Sequence, residues 1–196
     1  DVIELEPRVL EANQRFRARR AIDPLGLPGL HLQVNDARGA LNLTTKRYDI
    51  VVSQPSHPWT AGASHLYTRE FFHVVRDHLT PDGVFVQWID LDLVDPPLFG
   101  SLLATLLDAF PQVRIYRPFF RGTALFLASG APLEVEANAI RALAASPIEL
   151  ARAGVQTRED VAAAFAVDEA GARGLAAAAP LTTDDRNLLE SRTIRV

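Results

Sequence analysis

The sequence predicts an α/β fold in which helices cover both faces of a mostly parallel sheet. Strand-like and helix-like segments alternate from residue 2 to residue 110, which is the order that parallel sheets produce. Residues 48–53 have an apolar, β-branched centre typical of a buried parallel strand. Two later β runs, residues 113–118 and 123–129, are separated by only a few residues and predict an antiparallel hairpin.

The first part of the chain predicts two strands and the helical segments that follow them. Val2, Ile3 and Leu5 alternate with acidic residues in a short strand, and Pro7 suits the first turn of the next helix. Residues 30–35 alternate apolar and polar side chains in a second strand, which a short helical or turn segment follows.

The central part predicts a strand, a long loop, a helix, a strand and another helix. The loop after residues 48–53 ends at Thr68, the expected N-cap of a helix with apolar residues at helical spacing. Residues 83–90 form the next predicted strand, and residues 98–110 form an amphipathic helix that ends before Pro111.

The C-terminal part has a different composition. Residues 1–131 are predicted as the α/β domain, and residues 132–196 as an alanine-rich helical extension packed on it. A partner-docking appendage is the alternative for this extension.

Composition excludes several classes of function. With 196 residues, 48% of them hydrophobic, the chain is long enough to bury a core, and the net charge of -4 argues against a nucleic-acid-binding role. There are no cysteines and no apolar run long enough to cross a bilayer. His57 and His65 lie on a loop without carboxylates at ligand spacing, so no metal site is predicted.

Two acidic residues stand at the ends of the first two predicted strands. Glu4 can accept hydrogen bonds from both hydroxyls of a ribose, and Asp36 from an exocyclic amine such as that of adenine. Alternatively, each of these two carboxylates only caps the helix that follows it. A nucleoside site of this type would have a glycine-rich turn about 20 residues before Glu4, and the sequence has none, so we expect the domain to be N-terminally truncated.

The loop after residues 48–53 is where an open α/β sheet is expected to bind its substrate. The loop carries four side chains suited to that role, Gln54, Ser56, His57 and Trp59. Trp59 and Tyr67 either line a substrate pocket or anchor the loop to the core.

Five segments occur in a specific order and spacing: IELEPRVLE, VNDARGAL, YDIVVSQPSHPW, LYTREFF and LTPDGVFVQW. In this arrangement, residues 1 to about 130 resemble the spermidine synthase family of aminopropyltransferases, enzymes of polyamine biosynthesis. The resemblance implies a Rossmann-like fold of the class I S-adenosylmethionine methyltransferase type. SQPSHPW and LTTDDRNLLESR are most similar to bacterial spermidine synthase-like domains that are fused to membrane segments.

The resemblance also implies a site and its ligands. Glu4, Asp36 and the adjacent Ala37 would bind decarboxylated S-adenosylmethionine or S-adenosylmethionine as the donor, without a metal. Gln54 and His57 would occupy the catalytic positions, and Ser56, Trp59 and Tyr67 would contact a small-molecule amine. The location implied is cytoplasmic, either as a free protein or as the cytosolic domain of a membrane-attached one, and a homodimer is compatible with the family.

The chain departs from the family pattern in the loop after residues 48–53. Gln54 and His57 stand where the family has aspartates, and glutamine cannot take a proton at neutral pH, whereas histidine can. Two other functions therefore stay open. One is S-adenosylmethionine-dependent transfer to an acceptor that is not a polyamine, and the other is non-catalytic nucleoside binding.

Overall fold

The computed structural model describes residues 1–20, 22–55, 62–118 and 122–192, with side chains up to residue 190. It has a mixed α/β structure in which helices lie on both sides of the sheet, and this confirms the predicted fold class. The chain divides into two compact units, Asp1–Lys46 and Arg47–Val196. Each unit is built around its own sheet.

The first unit contains a two-stranded parallel sheet. Strand β1 (Val2–Glu4) pairs with β2 (Leu32–Val34), with Glu4 opposite Val34. Helix α1 (Pro7–Phe16) follows β1, and helix α2 (Ala37–Leu43) follows β2. The two strands therefore run in the same direction and end at the same edge.

Local side-chain caps define where these two helices begin. The Glu6 carboxylate accepts a hydrogen bond from the Arg8 amide, and Pro7 occupies the first turn of α1, where its missing N–H is not needed. The Asp36 carboxylate accepts from the Gly39 amide and caps α2. Each helix thus starts after a short connection from the strand that precedes it.

The second unit contains a five-stranded mixed sheet within the described residues. Its strands are β3 (Tyr48–Ser53), β4 (Leu79–Asp90), β5 (Gln112–Tyr116), β6 (Thr123–Ser129) and β7 (Phe165–Val167), and their spatial order is β3-β4-β6-β5-β7. Strands β3 and β4 are parallel, and the other pairs are antiparallel. The β5–β6 pair confirms the predicted hairpin.

Seven helices of the second unit are described, and two of them build its core. Helix α3 (Arg69–Asp77) and helix α4 (Pro96–Ala109) pack together and bury their apolar faces. Phe85 of β4 is fully buried, with ring centroids of Phe72 and Phe110 at 5.7 and 5.9 Å. The remaining helices are α5 (Val135–Ala145), α6 (Pro147–Arg152), α7 (Arg158–Ala164), α8 (Glu169–Ala176) and α9 (Leu188–Arg192).

Two details of the sequence interpretation were wrong. Strand β3 is not buried, because among the described residues it pairs only with β4, and Ile50 and Val52 are 63% and 64% exposed. The segment ending in Phe165–Val167 is not helical throughout, because α7 ends at Ala164 and β7 then pairs with β5. The Phe165 ring packs against Tyr116. Local helix propensity does not reflect such a long-range contact.

An ion-pair network connects the C-terminal helices to β5. The Arg114 guanidinium donates to Glu169 of α8 at 2.8 Å and to Glu136 of α5 at 2.9 Å, and the Tyr116 hydroxyl donates to Glu136 at 2.6 Å. Burial and the adjacent Glu136 carboxylate raise the pKa of Tyr116, so its hydroxyl stays a donor. The C-terminal helices are therefore part of the second unit's packing.

Candidate functional site

Glu4 and Asp36 lie at the carboxyl ends of neighbouring parallel strands. Glu4 is the last residue of β1, and Asp36 follows β2 by two positions. The Asn35 amide donates to the Glu4 carbonyl at 3.1 Å, which extends the β1–β2 ladder up to the residue before Asp36. The structure therefore brings these two predicted site residues, together with Ala37 at the start of α2, to one edge of the first unit.

Both carboxylates also accept a local backbone hydrogen bond. One Glu4 oxygen, Oε1, accepts from the Glu6 amide at 2.9 Å, and Asp36 Oδ2 accepts from the Gly39 amide. Each of these bonds involves a single carboxylate oxygen, so it does not exclude a ligand at the other oxygen. Glu4 is half-buried and Asp36 is exposed.

The predicted acceptor loop begins in the second unit, after β3. Gln54 directly follows that strand and its side chain is exposed. Ser56, His57 and Trp59 lie outside the described residues. Their predicted contributions, as catalytic residue for His57 and substrate-binding residues for Ser56 and Trp59, stay predictions.

Tyr67 is the described member of the predicted substrate-binding set. It is fully buried in the 3₁₀ turn Ala63–Tyr67, and its hydroxyl donates to the Trp88 carbonyl at 3.2 Å. Burial raises the pKa of Tyr67, and the negative charge of Asp90 adds to this effect against the opposing influence of Gln87. These contacts match the anchoring interpretation of Tyr67, and a contact with substrate stays a prediction.

Gln87 is a candidate site residue that sequence reasoning missed. Its amide nitrogen donates to the carbonyls of Trp88 at 3.0 Å and Ser53 at 3.3 Å, while its buried Oε1 has no partner among the described residues. A buried acceptor without a donor destabilises the protein unless a ligand or water supplies one. The signal in the sequence was a glutamine on the same predicted strand face as the apolar Phe85 and Ile89, which are buried.

The segment before α9 holds the turn that carries Tyr67. The Thr68 hydroxyl lies 2.8 Å from Asp184 Oδ1, and the Asp184 amide donates to the Glu70 carboxylate at 2.9 Å. The Arg69 amide donates to the Thr182 carbonyl at 2.8 Å. Residues near the C-terminus thus fix the start of α3, directly after the predicted acceptor loop.

The described residues contain neither a candidate membrane span nor a candidate metal cluster. No helix among them combines the length and the apolar character needed to cross a bilayer. In the same part of the chain, no group of three or more histidine, aspartate or glutamate side chains is arranged to hold a metal ion.

The fold is of the methyltransferase-like α/β type that solved spermidine synthases share. The structure of spermidine synthase from Thermotoga maritima aligns with a TM-score of 0.65 at 20% identity, over 89% of this chain and 58% of that one. A spermidine synthase in complex with the transition-state analogue AdoDATO aligns with a TM-score of 0.63 at 18% identity, over 89% of this chain and 58% of that one. At these identities, the similarity establishes the fold alone.

Residues 1–121 match the family model of the spermine/spermidine synthase domain. The chain therefore belongs to the spermine/spermidine synthase family, as the sequence resemblance indicated.

Individual relatives agree with this assignment. Polyamine aminopropyltransferase 2 of Aquifex aeolicus is 26% identical over 69% of this chain and 28% of its own length. The polyamine aminopropyltransferase of Nitrosomonas europaea is 34% identical over 45% of this chain and 27% of its own length. The chain thus covers less than a third of either relative.

Proposed function

We propose that this chain transfers an aminopropyl group from decarboxylated S-adenosylmethionine to a small-molecule amine. Membership of a family of aminopropyltransferases supports the class of reaction. The observation that carries the proposal is the position of Glu4 and Asp36 at adjacent ends of parallel strands, with Glu4 opposite Val34. Such an edge is where doubly wound folds bind nucleosides.

In the proposed donor site, Glu4 accepts hydrogen bonds from the ribose hydroxyls. Asp36 accepts from the exocyclic amine of adenine, and the backbone at Ala37 lies beside the base. Neither carboxylate needs to give up its local backbone hydrogen bond, because each of these bonds uses only one oxygen. The same residues suit S-adenosylmethionine itself, since the two donors share the adenosine part.

The proposed reaction is a displacement at the carbon next to the sulfonium. A neutral amine nitrogen forms the new C–N bond while the C–S bond breaks, and methylthioadenosine leaves with the electron pair of that bond. The product nitrogen then loses a proton. His57 is the proposed proton acceptor, because its ordinary pKa is near neutrality, and Gln54 is proposed to orient the amine.

The acceptor amine is proposed to bind next to the end of β4, where the buried Gln87 Oε1 lacks a donor among the described residues. An amine N–H would provide that donor. Gln87 therefore joins Gln54, Ser56, His57, Trp59 and Tyr67 in the proposed acceptor site.

Calorimetry followed by product analysis tests the proposal. We expect methylthioadenosine and decarboxylated S-adenosylmethionine to bind, and a diamine added with the decarboxylated donor to be converted to its aminopropyl derivative. Methyl transfer from S-adenosylmethionine would instead show a methyltransferase with a non-polyamine acceptor. Nucleoside binding without any product would show a non-catalytic nucleoside-binding domain, and no nucleoside binding would refute the donor site.

A further inference from the structure

Helix α1 of the first unit leaves much of an apolar face open to solvent. Val9 and Phe16 lie seven positions apart and therefore share one side of the helix, with the small Ala12 between them. Val9 is 42% exposed and Phe16 is 50% exposed, and no residue of Pro7–Phe16 is buried. The packing of the first unit thus does not account for the apolar character of this face.

Arginines border the apolar face. Arg8 and Arg15 are also seven positions apart, and each directly precedes a large apolar residue of that face. Arg19 lies in the 3₁₀ turn that continues the helix, and its Cζ is 6.0 Å from the centroid of the Phe16 ring. All three arginines are exposed. A positive charge therefore lies directly beside an exposed aromatic ring.

The segment around this face carries a concentrated positive charge. Residues 7–20 contain five arginines and one glutamate, a net charge of +4 in a chain whose total is -4. Arg17 pairs with Asp23 at 2.8 Å, and Arg20 donates to the Asn13 side chain. The three arginines that border the apolar face pair with no acid among the described residues. Their charges are available to an external anion.

An anionic lipid surface is the partner that uses both parts of this arrangement. Helices of this composition lie in the membrane interface, where arginines contact lipid phosphates and apolar side chains enter the boundary of the acyl chains. A nucleic acid would use the arginines but offers no apolar phase for Val9 and Phe16. An uncharged apolar partner would leave the arginines without anions.

We propose that Arg8, Arg15 and Arg19, together with Val9 and Phe16, form a surface that binds membranes rich in anionic phospholipid. Binding through this α1 surface is reversible, because two large apolar side chains bury too little area for a stable anchor. The proposal is independent of the transfer reaction, so either can fail without the other.

Co-sedimentation of the full chain with lipid vesicles tests the proposal. We compare vesicles of pure phosphatidylcholine with vesicles that contain about 30% phosphatidylglycerol. We expect binding to the anionic vesicles alone. Raising the salt concentration from about 0.05 M to about 0.5 M should weaken this binding at least about fivefold, because salt screens the arginines.

Two variants separate the charged and the apolar contributions. Arg15→Gln/Arg19→Gln removes two charges and should weaken binding to anionic vesicles at least about tenfold. Phe16→Ser removes the exposed ring and should weaken it at least about fivefold. Both variants should keep the circular dichroism spectrum of the wild type, because the replaced side chains are exposed.

Matched controls come from exposed positions of the second unit. Arg141→Gln/Arg152→Gln removes the same number of charges from α5 and α6. Ile148→Ser removes an apolar side chain that is 63% exposed. Each control should bind anionic vesicles within about twofold of the wild type.

Several results would overturn the proposal. Among them are no binding of the wild type to anionic vesicles, equal weakening in the arginine controls, and unchanged binding in Phe16→Ser. Tighter binding to a DNA duplex than to anionic vesicles would assign the arginines to nucleic acid instead. A dimer in analytical ultracentrifugation that Phe16→Ser dissociates, without vesicle binding by the wild type, would assign the face to a second copy of the chain.

Discussion

The Thr68 hydroxyl lies 2.8 Å from Asp184 Oδ1, although 116 positions separate the two residues in the sequence. Thr68 is fully buried and is the N-cap of α3, and its backbone follows the turn that carries Tyr67. The contact therefore connects the C-terminal segment to the end of the predicted acceptor loop. It gives the C-terminal part of the chain a structural role in the second unit.

Replacing Thr68 with valine should destabilise the protein. Valine keeps the shape of threonine but removes the capping acceptor and the hydroxyl at Asp184, so we expect the free energy of unfolding to fall by roughly 1–3 kcal/mol. Urea denaturation measures this change. Thr45→Val, at an exposed threonine, is the control and should change stability by less than about 0.5 kcal/mol. An unchanged midpoint in Thr68→Val would refute the structural role of this contact.

Asp108 should make stability depend on pH in the acid range. Partial burial alone would raise its pKa, but hydrogen bonds from His73 at 2.8 Å and Arg69 at 2.7 Å hold the pKa below its ordinary value. Because the folded pKa is the lower one, ionised Asp108 stabilises the fold above the unfolded pKa of about 3.9, and this contribution is lost as pH falls through the folded pKa.

We therefore expect Asp108→Asn to lower the free energy of unfolding by about 0.5–1.5 kcal/mol at pH 7. The difference from wild type should shrink as the pH falls below about 4. Denaturation curves collected across this range test the prediction. Asp185→Asn, at an exposed carboxylate, should show no such convergence, and a constant difference at all pH values would contradict the assignment.

Replacing Glu4 with alanine should weaken nucleoside binding. The loss of a charged acceptor for two ribose hydroxyls predicts a cost of at least about 1.5 kcal/mol in the binding of methylthioadenosine. Calorimetry measures the affinity, and Glu11→Ala on the exposed part of α1 is the control. Equal affinity for wild type and Glu4→Ala would remove Glu4 from the donor site.

Replacing Gln54 with aspartate should increase aminopropyl transfer to a diamine. An aspartate after β3 would add a proton acceptor and a negative charge, which glutamine lacks. Product formation from decarboxylated S-adenosylmethionine measures the effect, with Gln54→Asn as the neutral control. If a folded Gln54→Asp variant shows no gain, the loop has been adapted to another acceptor.

Replacing Gln87 with methionine should separate stability from amine binding. Two hydrogen bonds from Nε2 are lost, but so is a buried oxygen that has no donor in the described part of the chain. We therefore expect the free energy of unfolding to change by less than about 1.5 kcal/mol. Affinity for 1,4-diaminobutane should fall at least about tenfold. Gln33→Met, on exposed β2, is the control. Wild-type amine affinity in Gln87→Met would exclude a contact with the substrate.

The sequence by itself determined strands β1 to β6, the helices between them and their order. Apolar periodicity, the proline at the start of α1 and the caps of α2 and α3 are local signals, and they depend on residues within one or two turns of each other. The alternation of strands and helices then placed Glu4 and Asp36 at neighbouring strand ends, which the parallel β1–β2 pairing confirms. These features could be predicted because short-range geometry governs them.

Only the tertiary structure decided which residues are buried and which distant residues meet. The apolar run of β3 did not reveal that Ile50 and Val52 are exposed, since exposure depends on which strands and helices pack against them. Phe165–Val167 forms a strand because it pairs with β5 through backbone hydrogen bonds and because the Phe165 ring packs against the Tyr116 ring. Gln87 is buried, Asp90 and Asp92 both lie close to Gly122, and Asp184 contacts Thr68. These arrangements depend on residues that are too far apart in the sequence for a local pattern to reveal them.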